Sequence, residues 1–165
     1  MANQVIRQSE LDESPGNTSN LKALYSYGLA YLTGREASQK RLYQKLLTSG
    51  HGQPEEVKMI LDRLIREGWV SDRRFAESYT HYRSERGFGP KYIEYALRQE
   101  GLSLMLIQEV FLEMNIDWQE LIEKLVSRKF PNLLKINQSM ILRAKAERFL
   151  LSRGFEWSHI RKAFK

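Results

Sequence analysis

Apolar residues recur along this chain at helical spacing, and short polar or glycine-containing stretches separate the segments that carry them. In residues 54–68, "PEEVKMILDRLIREG", one stripe of a helix holds Val57, Ile60, Leu61, Leu64 and Ile65. Pro54 suits the first turn of this helix and Gly68 can end it. Four later segments repeat the pattern, and almost nothing alternates as a strand does. The sequence therefore predicts an all-α protein.

Polar residues mark where several of these helices begin. Ser71 can cap "DRRFAESYTHYRSER", Pro90 opens the next helix, and Ser103 can cap the one after it. Asp117, with Glu120 three residues later, has the spacing of a capping box before another apolar run. These signals predict helix starts near residues 72, 90, 104 and 118.

The glycines that end helices also fall in register with one another. Gly50, Gly101 and Gly154 are spaced by 51 and 53 residues, and each follows a leucine by four positions: Leu46, Leu97 and Leu150. Apolar positions after the glycines recur too, as Ile107 and Phe111, Ile160 and Phe164, and, one residue later, Val57 and Leu61. This register predicts three tandem units of about fifty residues, each of three helices. The alternative is a coincidence among unrelated helices with glycine caps.

The repeat and the local composition together suggest domain boundaries. Residues 1–20 end in the polar stretch "SPGNTSN" and are predicted to form a flexible tail. The three helical repeats are then expected at 21–72, 73–118 and 119–165.

Charge is distributed unevenly over these segments. The formal net charge is +6, yet residues 73–123 carry six bases against nine acids, whereas residues 124–165 carry eleven bases against two. A basic end beside an acidic middle indicates a polyanion at one end and a protein partner elsewhere. The alternative is a set of solvated helix faces.

Several classes of function lack a signal in the sequence. There is no cysteine, which excludes disulfides, thiolate metal sites and cysteine nucleophiles. His51, His81 and His159 have no metal-ligand spacing, so surface or packing roles are expected for them. No signal peptide or membrane span is apparent, which favours a cytoplasmic protein. We expect no enzymatic activity, no catalytic residue, no metal and no cofactor.

The stretch "GFGP", residues 87–90, could be a phosphate-binding loop, a hinge or a connector. It has no lysine followed by serine or threonine, and no strand precedes it, as the known phosphate and dinucleotide motifs require. Gly87 and Gly89 give conformational freedom and Pro90 starts a helix. We interpret the stretch as a connector that could also act as a hinge.

Four blocks, "LTGREASQKRLYQKL", "LIREGWVSDRRFAESY", "RSERGFGPKYIEYALRQEGL" and "KAERFLLSRGF", together resemble the RecX family of RecA regulators. The resemblance runs from about residue 21 to the end of the chain. It implies three tandem three-helix units in an elongated, curved array. It also implies binding to the RecA–DNA filament, with restraint of RecA's strand exchange, ATP hydrolysis and coprotease activity in recombination, DNA repair and the SOS response.

Two features depart from the family's usual pattern. Lys40 and Arg41 precede Leu42, where an acidic residue is common, and Glu100 precedes Gly101, where lysine is frequent. The departures leave the predicted fold unchanged but affect any contact there that depends on charge.

The expected binding surface is basic. Its candidate residues for contacting nucleic acid or a protein partner are Arg35, Arg73, Arg74, Arg86, Lys91, Lys124, Arg128, Lys129, Arg143, Lys145, Arg148, Arg153, Arg161 and Lys162. For Arg35 and Arg86, which occupy matching places in two units, the alternative is a salt bridge within each unit. Tyr79 and Tyr82 are expected in the core, and Phe88 exposed.

Two functional hypotheses remain open on the sequence. The first is a RecA modulator that occupies the filament groove, with RecA and single-stranded and possible double-stranded DNA as its partners. The second is a stand-alone nucleic-acid-binding protein that affects RecA only by competing for DNA. A monomer without membrane association is expected in either case.

Overall fold

The computed structural model describes residues 15–131, 133 and 140–164. Over these residues the chain is built from α-helices and the turns between them. The helices are α1 (Pro15–Leu32), α2 (Gln39–Leu47), α3 (Pro54–Arg66), α4 (Asp72–Glu85), α5 (Pro90–Gln99), α6 (Leu104–Met114), α7 (Trp118–Lys129), α8 (Met140–Ser152) and α9 (Trp157–Ala163). They form three groups of three in chain order, which confirms the predicted all-α fold of three-helix repeats.

The amino-terminal helix begins earlier than the sequence indicated. The predicted flexible tail covered residues 1–20, but residues 15–20 form the first turns of α1. Pro15 stands at the first position of this helix, where proline's missing N–H leaves no hydrogen bond unmade. The rest of the predicted tail, residues 1–14, lies outside the described residues.

Most of the predicted helix caps are present. The Ser71 and Ser103 hydroxyls accept hydrogen bonds from the backbone N–H groups of Arg74 and Leu106, and Asp117 accepts from Glu120. Gly50, Gly101 and Gly154, the three glycines in register, all have positive φ angles, as helix-ending glycines do.

Each three-helix group has its own hydrophobic core. The leucines that precede the aligned glycines, Leu46, Leu97 and Leu150, are completely buried, one in each core. Ile107 and Ile160, the matching isoleucines of the second and third groups, are completely buried as well. The periodic apolar positions are therefore core positions, as the repeat predicts.

The three groups pack as two compact units. One unit is Met1–Arg35 with Arg41–Val70, and the other is Glu36–Lys40 with Ser71–Lys165. The second unit thus contains both the second and the third helix groups, and Trp118 packs against the cores of both. It also contains Glu36–Lys40, which the predicted first repeat at 21–72 had included.

Side-chain and backbone hydrogen bonds explain why Glu36–Lys40 belongs to the second unit. The Ser38 hydroxyl, completely buried, donates to the Glu100 carboxylate at 2.8 Å. The Gln39 N–H donates to the Asp72 carboxylate at 2.8 Å, and Lys40 Nζ donates to the Gln99 carbonyl at 2.8 Å. Lys40 and Glu100, two of the departures from the family pattern, therefore take part in the same set of contacts.

Candidate nucleic-acid interface

Four of the predicted basic residues are paired with acids of the second unit. Arg73 contacts the carboxylates of Glu109 at 2.7 Å and Glu113 at 2.9 Å. Glu113, with Glu109 beside it, raises the pKa of Arg73 above its ordinary value. The other three pairs are Arg74 with Glu36, Lys124 with Glu120, and Arg143 with Glu147, at 2.9, 2.7 and 3.0 Å. Acids already compensate these charges, so we expect them to attract phosphates weakly.

Four other candidates lie over aromatic rings. Arg35 lies 5.2 Å from the ring centre of Tyr31, and Arg86 lies 4.0 Å from that of Tyr82. Further along the chain, Lys129 lies 4.1 Å from the ring centre of Phe149. Arg153 lies 4.7 Å from the ring of Phe88 and 5.2 Å from that of Phe149. These separations are within the range of cation–π attraction.

Arg83 extends this arrangement, and the sequence had not singled it out. Its guanidinium lies between 5.0 and 5.8 Å from four ring centres, those of Tyr79, Tyr82, Phe88 and Tyr92. We name the resulting surface of the second unit the cation–aromatic cluster. Its members are Arg83, Arg86, Lys129 and Arg153 with the rings of Tyr79, Tyr82, Phe88, Tyr92 and Phe149.

The "GFGP" connector holds two parts of this cluster together. The Gly89 N–H donates to the Arg153 carbonyl at 2.8 Å, and the Lys91 N–H donates to the Gly154 carbonyl at 3.0 Å. Phe88, next to Gly89, stacks on Tyr92 with ring centres 4.2 Å apart. The connector therefore fixes the turn after α8 against the start of α5, which positions Arg153 over Phe88.

Two of the expectations about aromatic exposure are wrong. Tyr82 was expected in the core, yet 45% of it is exposed, because it lies near the end of α4 and faces Arg86. Phe88 was expected to be exposed but is half-buried, since Tyr92 and Arg153 cover its ring. Tyr79, by contrast, packs against the core of the second helix group.

The cluster has an electrostatic character that suits a polyanion. Among the described residues, no carboxylate forms a salt bridge with Arg83, Arg86, Lys129 or Arg153. Guanidinium groups stacked on rings keep their N–H edges available for phosphate oxygens, and exposed ring surface can stack a base. The arrangement can therefore bind the phosphates and bases of a nucleic acid.

The six remaining candidates are exposed and spread over four helices. They are Lys91, Arg128, Lys145, Arg148, Arg161 and Lys162. Arg148 donates from Nε to the carbonyl of Ala144, one turn earlier, at 3.3 Å. In the described part of the chain, none of these six side chains forms a hydrogen bond, ion pair or ring contact with the cation–aromatic cluster.

A second basic surface lies in the first unit, and the sequence analysis had not considered its residues as a set. Arg41 and Lys45 are one turn apart on α2 and line a groove of about 370 Å³. Among the described residues, Gln44, Thr48 and Tyr31 complete the lining. The signal that could have revealed it is the pair of bases at positions i and i+4 opposite an aromatic residue.

The histidines have local contacts. The ring of His51 lies edge-on to Tyr27, with ring centres 6.0 Å apart, and His81 Nε2 lies 3.4 Å from the Glu85 carboxylate. Within the described ranges, no group of three or more histidine and acidic side chains is placed to hold a metal ion. Nor, over those ranges, does any helix have the length and apolar character needed to cross a membrane.

Comparison with known proteins places the chain in a family. Residues 71–110 match the family model described as "RecX, second three-helix domain", and residues 116–164 match "RecX, third three-helix domain". The Regulatory protein RecX of Haemophilus influenzae is 36% identical over 132 residues, which cover 79% of this chain and 86% of that protein. That of Pseudomonas savastanoi is 39% identical over 124 residues, covering 75% and 78%.

Solved structures agree on the fold. The crystal structure of RecX from Lactobacillus salivarius superposes with a TM-score of 0.77 at 21% identity, covering 89% of this chain and 96% of that one. A second crystal structure, of a regulatory protein RecX, gives a TM-score of 0.76 at 24% identity and covers 94% of this chain and 78% of its own. From the family models and the sequence identity to these curated proteins, the chain belongs to the RecX family of regulatory proteins.

Proposed function

We propose that this protein binds the RecA–DNA filament and restrains RecA's ATP hydrolysis, strand exchange and coprotease activity. The observation that carries the proposal is its membership of a family whose curated members are named Regulatory protein RecX. In this role the protein acts in the cytoplasm as a monomer, by binding and not by catalysis. It modulates recombination, DNA repair and the SOS response.

The distribution of charge supports separate surfaces for DNA and for a protein partner. The cation–aromatic cluster and the six exposed bases, which form no salt bridge among the described residues, offer charges to DNA phosphates. Arg73 and Arg74, whose charges are compensated by Glu109, Glu113 and Glu36, lie on a surface where both signs alternate. Such mixed surfaces suit a protein partner, because complementary charges fix its orientation.

A second candidate function is a stand-alone nucleic-acid binder that inhibits RecA only by competing for DNA. The cation–aromatic cluster favours it, because this surface could bind a polynucleotide without any protein partner. The two functions differ in how inhibition depends on DNA concentration. Competition for DNA disappears when free DNA is in excess, whereas binding to the filament does not.

The deciding experiment is RecA ATPase on single-stranded DNA, with this protein titrated well below the RecA concentration and the DNA in excess. We expect strong inhibition under these conditions, because one bound molecule in the filament affects several RecA protomers. Inhibition that appears only once the protein coats the DNA would contradict filament binding and leave the competition mechanism.

A further inference from the structure

We propose that Tyr31–Arg35 and Tyr82–Arg86 are two copies of one element that binds single-stranded nucleic acid, with the ring and guanidinium stacking bases and the arginine contacting phosphate. The inference deepens the proposed function, since it rests on the nucleic-acid contact included there. It assigns a specific element to that contact in each of the first two repeats.

The two pairs are related by the internal repeat. Tyr31 and Tyr82 are 51 residues apart, as are Arg35 and Arg86, and the same interval separates the helix-ending glycines Gly50 and Gly101. In both pairs the arginine follows its tyrosine by four residues. Arg86 directly follows the last residue of α4, whereas Arg35 lies three residues past the end of α1. The arginine lies over the ring in both, at 5.2 and 4.0 Å. Each of these two first helices therefore has, at or just past its carboxyl end, an arginine that lies over a tyrosine four residues earlier.

Both pairs lie on the surface, and packing against the tyrosine ring alone does not explain why both positions hold an arginine. Arg35 and Arg86 are exposed, and neither forms a salt bridge within the described residues, which removes the structural alternative that the sequence had left open. A stacked arginine at an exposed site stabilises a protein by only about 0.5–1 kcal/mol. Each stacked pair presents a flat surface with a positive charge at its edge.

Additional cations surround each pair. Tyr31 lines the groove of the first unit that also contains Arg41 and Lys45. Tyr82 lies 5.6 Å from Arg83 as well as 4.0 Å from Arg86, and the Arg86 carbonyl accepts a hydrogen bond from Arg153 at 3.2 Å. Each pair therefore has further basic side chains beside it.

A single strand fits this chemistry better than a duplex or an acidic peptide. In a duplex the bases stack on one another, so aromatic side chains reach them only in unpaired strands. An acidic peptide would need the arginines but gain little from the tyrosine rings.

The test measures binding of the full-length protein to a fluorescein-labelled 20-nucleotide oligothymidylate and to a 20-base-pair duplex by fluorescence anisotropy, without RecA. The double variant Tyr31→Leu/Tyr82→Leu removes both rings, and Tyr31→Phe/Tyr82→Phe keeps them. Because stacking contributes about fivefold or more in affinity per base, we expect the leucine variant to bind the oligonucleotide at least about tenfold more weakly. The phenylalanine variant should stay within about twofold of wild type, and binding of both variants to the duplex should be unchanged.

A second variant tests the arginines and does not depend on replacing a half-buried ring. Arg35→Gln/Arg86→Gln should reduce the magnitude of the log–log salt slope for the oligonucleotide by about 1.4, since each phosphate contact on a single strand contributes about 0.7.

Tyr95→Leu is the matched ring control, because Tyr95 is 66% exposed and no cation lies over its ring in the described structure. Arg66→Gln is the matched charge control. Circular dichroism verifies that every variant is folded; if the leucine variant is not, the glutamine variant decides the test.

Several outcomes would overturn the inference. Unchanged oligonucleotide binding and an unchanged salt slope would show that the pairs do not contact nucleic acid. If the double leucine variant lost affinity equally for the oligonucleotide and the duplex, base stacking at these sites would be contradicted. An equally large loss of oligonucleotide affinity by Tyr95→Leu would contradict it as well. If the variants keep oligonucleotide binding but lose inhibition of RecA ATPase, the pairs contact protein, so the inference fails while the proposed function stands. Loss of oligonucleotide binding with ATPase inhibition retained supports the inference and separates it from RecA regulation.

Discussion

Polar side chains at the start of α2 and α4 form a small buried network within the second unit. The Ser38 hydroxyl donates to Glu100, and the Asp72 carboxylate accepts the N–H of Gln39. Buried polar groups require such partners, because an unpaired one retains its full desolvation cost. The network therefore specifies where Glu36–Lys40 lies, and each of its members can be tested alone.

Ser38→Ala is expected to lower the free energy of unfolding of the second unit by about 1–2 kcal/mol. The substitution removes a hydrogen bond to a charged acceptor and leaves part of the Glu100 carboxylate without that donor. Chemical denaturation followed by circular dichroism measures the change. Ser78→Ala, at an exposed position of α4, is the matched control and should change the unfolding free energy by less than about 0.5 kcal/mol. Equal effects of the two substitutions would contradict the role given to the Ser38 hydroxyl.

Ionisation of the Asp72 carboxyl should make the protein's stability depend on pH. Burial raises the pKa of Asp72, the negative charge of Glu100 adds to the rise, and the hydrogen bond from Gln39 opposes it. A carboxyl with a raised pKa in the folded state contributes stability that is present at low pH and lost as the pH rises through that pKa. Asp72→Asn keeps an acceptor oxygen for Gln39 and removes the charge. We therefore expect the free energy of unfolding of the variant to increase relative to that of wild type as the pH rises from 3 to 7.

Thermal unfolding of the two proteins across this range measures the difference. Asp62→Asn, the same change on α3 outside this network, controls for the loss of one negative charge. A constant difference in stability between wild type and Asp72→Asn from pH 3 to pH 7 would refute the assigned environment of Asp72.

At the scale of helices, the junction of the "GFGP" connector with the turn after α8 depends on two glycines. A β-carbon on Gly89 would lie 2.5 Å from the Gly154 carbonyl oxygen, and one on Gly154 would lie 2.4 Å from the backbone nitrogen of Tyr92. Backbone atoms of two helix groups therefore approach each other so closely that neither position accepts a side chain. The connector is thus a packed contact inside the second unit.

Gly89→Ala is the cleaner test of this junction, because its φ of −88° suits alanine and only the steric clash opposes the substitution. We expect it to lower the free energy of unfolding by more than about 2 kcal/mol, as disruption of closely packed backbone does. Gly154→Ala adds the strain of a positive φ to the clash. Gly50→Ala, with a φ of +74° and no atom within 4 Å, measures that strain alone and should cost about 1–2 kcal/mol. If Gly89→Ala and Gly154→Ala unfold no more easily than Gly50→Ala, the junction does not hold the two groups together.

Helices and their core positions could be predicted from the sequence because both depend on local periodicity and capping. Leu46, Leu97 and Leu150 were identified as core by their distance from a glycine, and Ser71 and Ser103 as caps by the residues after them. The exposure of Tyr82 could not be predicted, since the helical spacing of Tyr79 and Tyr82 does not show which cations face the rings. Tertiary contacts decide such cases.

The candidate site was predicted only in part, for a related reason. Basic residues can be counted in a sequence, but whether an acid compensates them depends on packing between helices. Arg73 and Glu113 are forty residues apart yet hydrogen-bonded, whereas Arg86 faces a ring and no acid. Arg83 was overlooked because its four aromatic neighbours come together only when α4 and α5 pack.

At the scale of the whole molecule, net charge is a poor guide to which bases bind a polyanion. The formal charge of +6 includes bases such as Arg73 and Lys124 whose acids lie within 3 Å, and bases such as Lys145 and Arg148 that form no salt bridge in the described structure. Counterion release occurs when basic side chains replace the mobile cations around phosphates, and a base already in contact with an acid does so less readily. Two double variants with the same change in net charge can separate these classes.

Lys145→Gln/Arg148→Gln and Arg73→Gln/Lys124→Gln each lower the net charge by two. If the uncompensated bases of α8 contact phosphates, the first variant should reduce the magnitude of the log–log salt slope for single-stranded DNA by about 1.4. The second should change it little, because its bases are held by Glu109, Glu113 and Glu120. Anisotropy titrations at several salt concentrations measure both slopes. Equal reductions would mean that overall charge attracts DNA to this protein, and that the pairing of individual bases does not select where DNA binds.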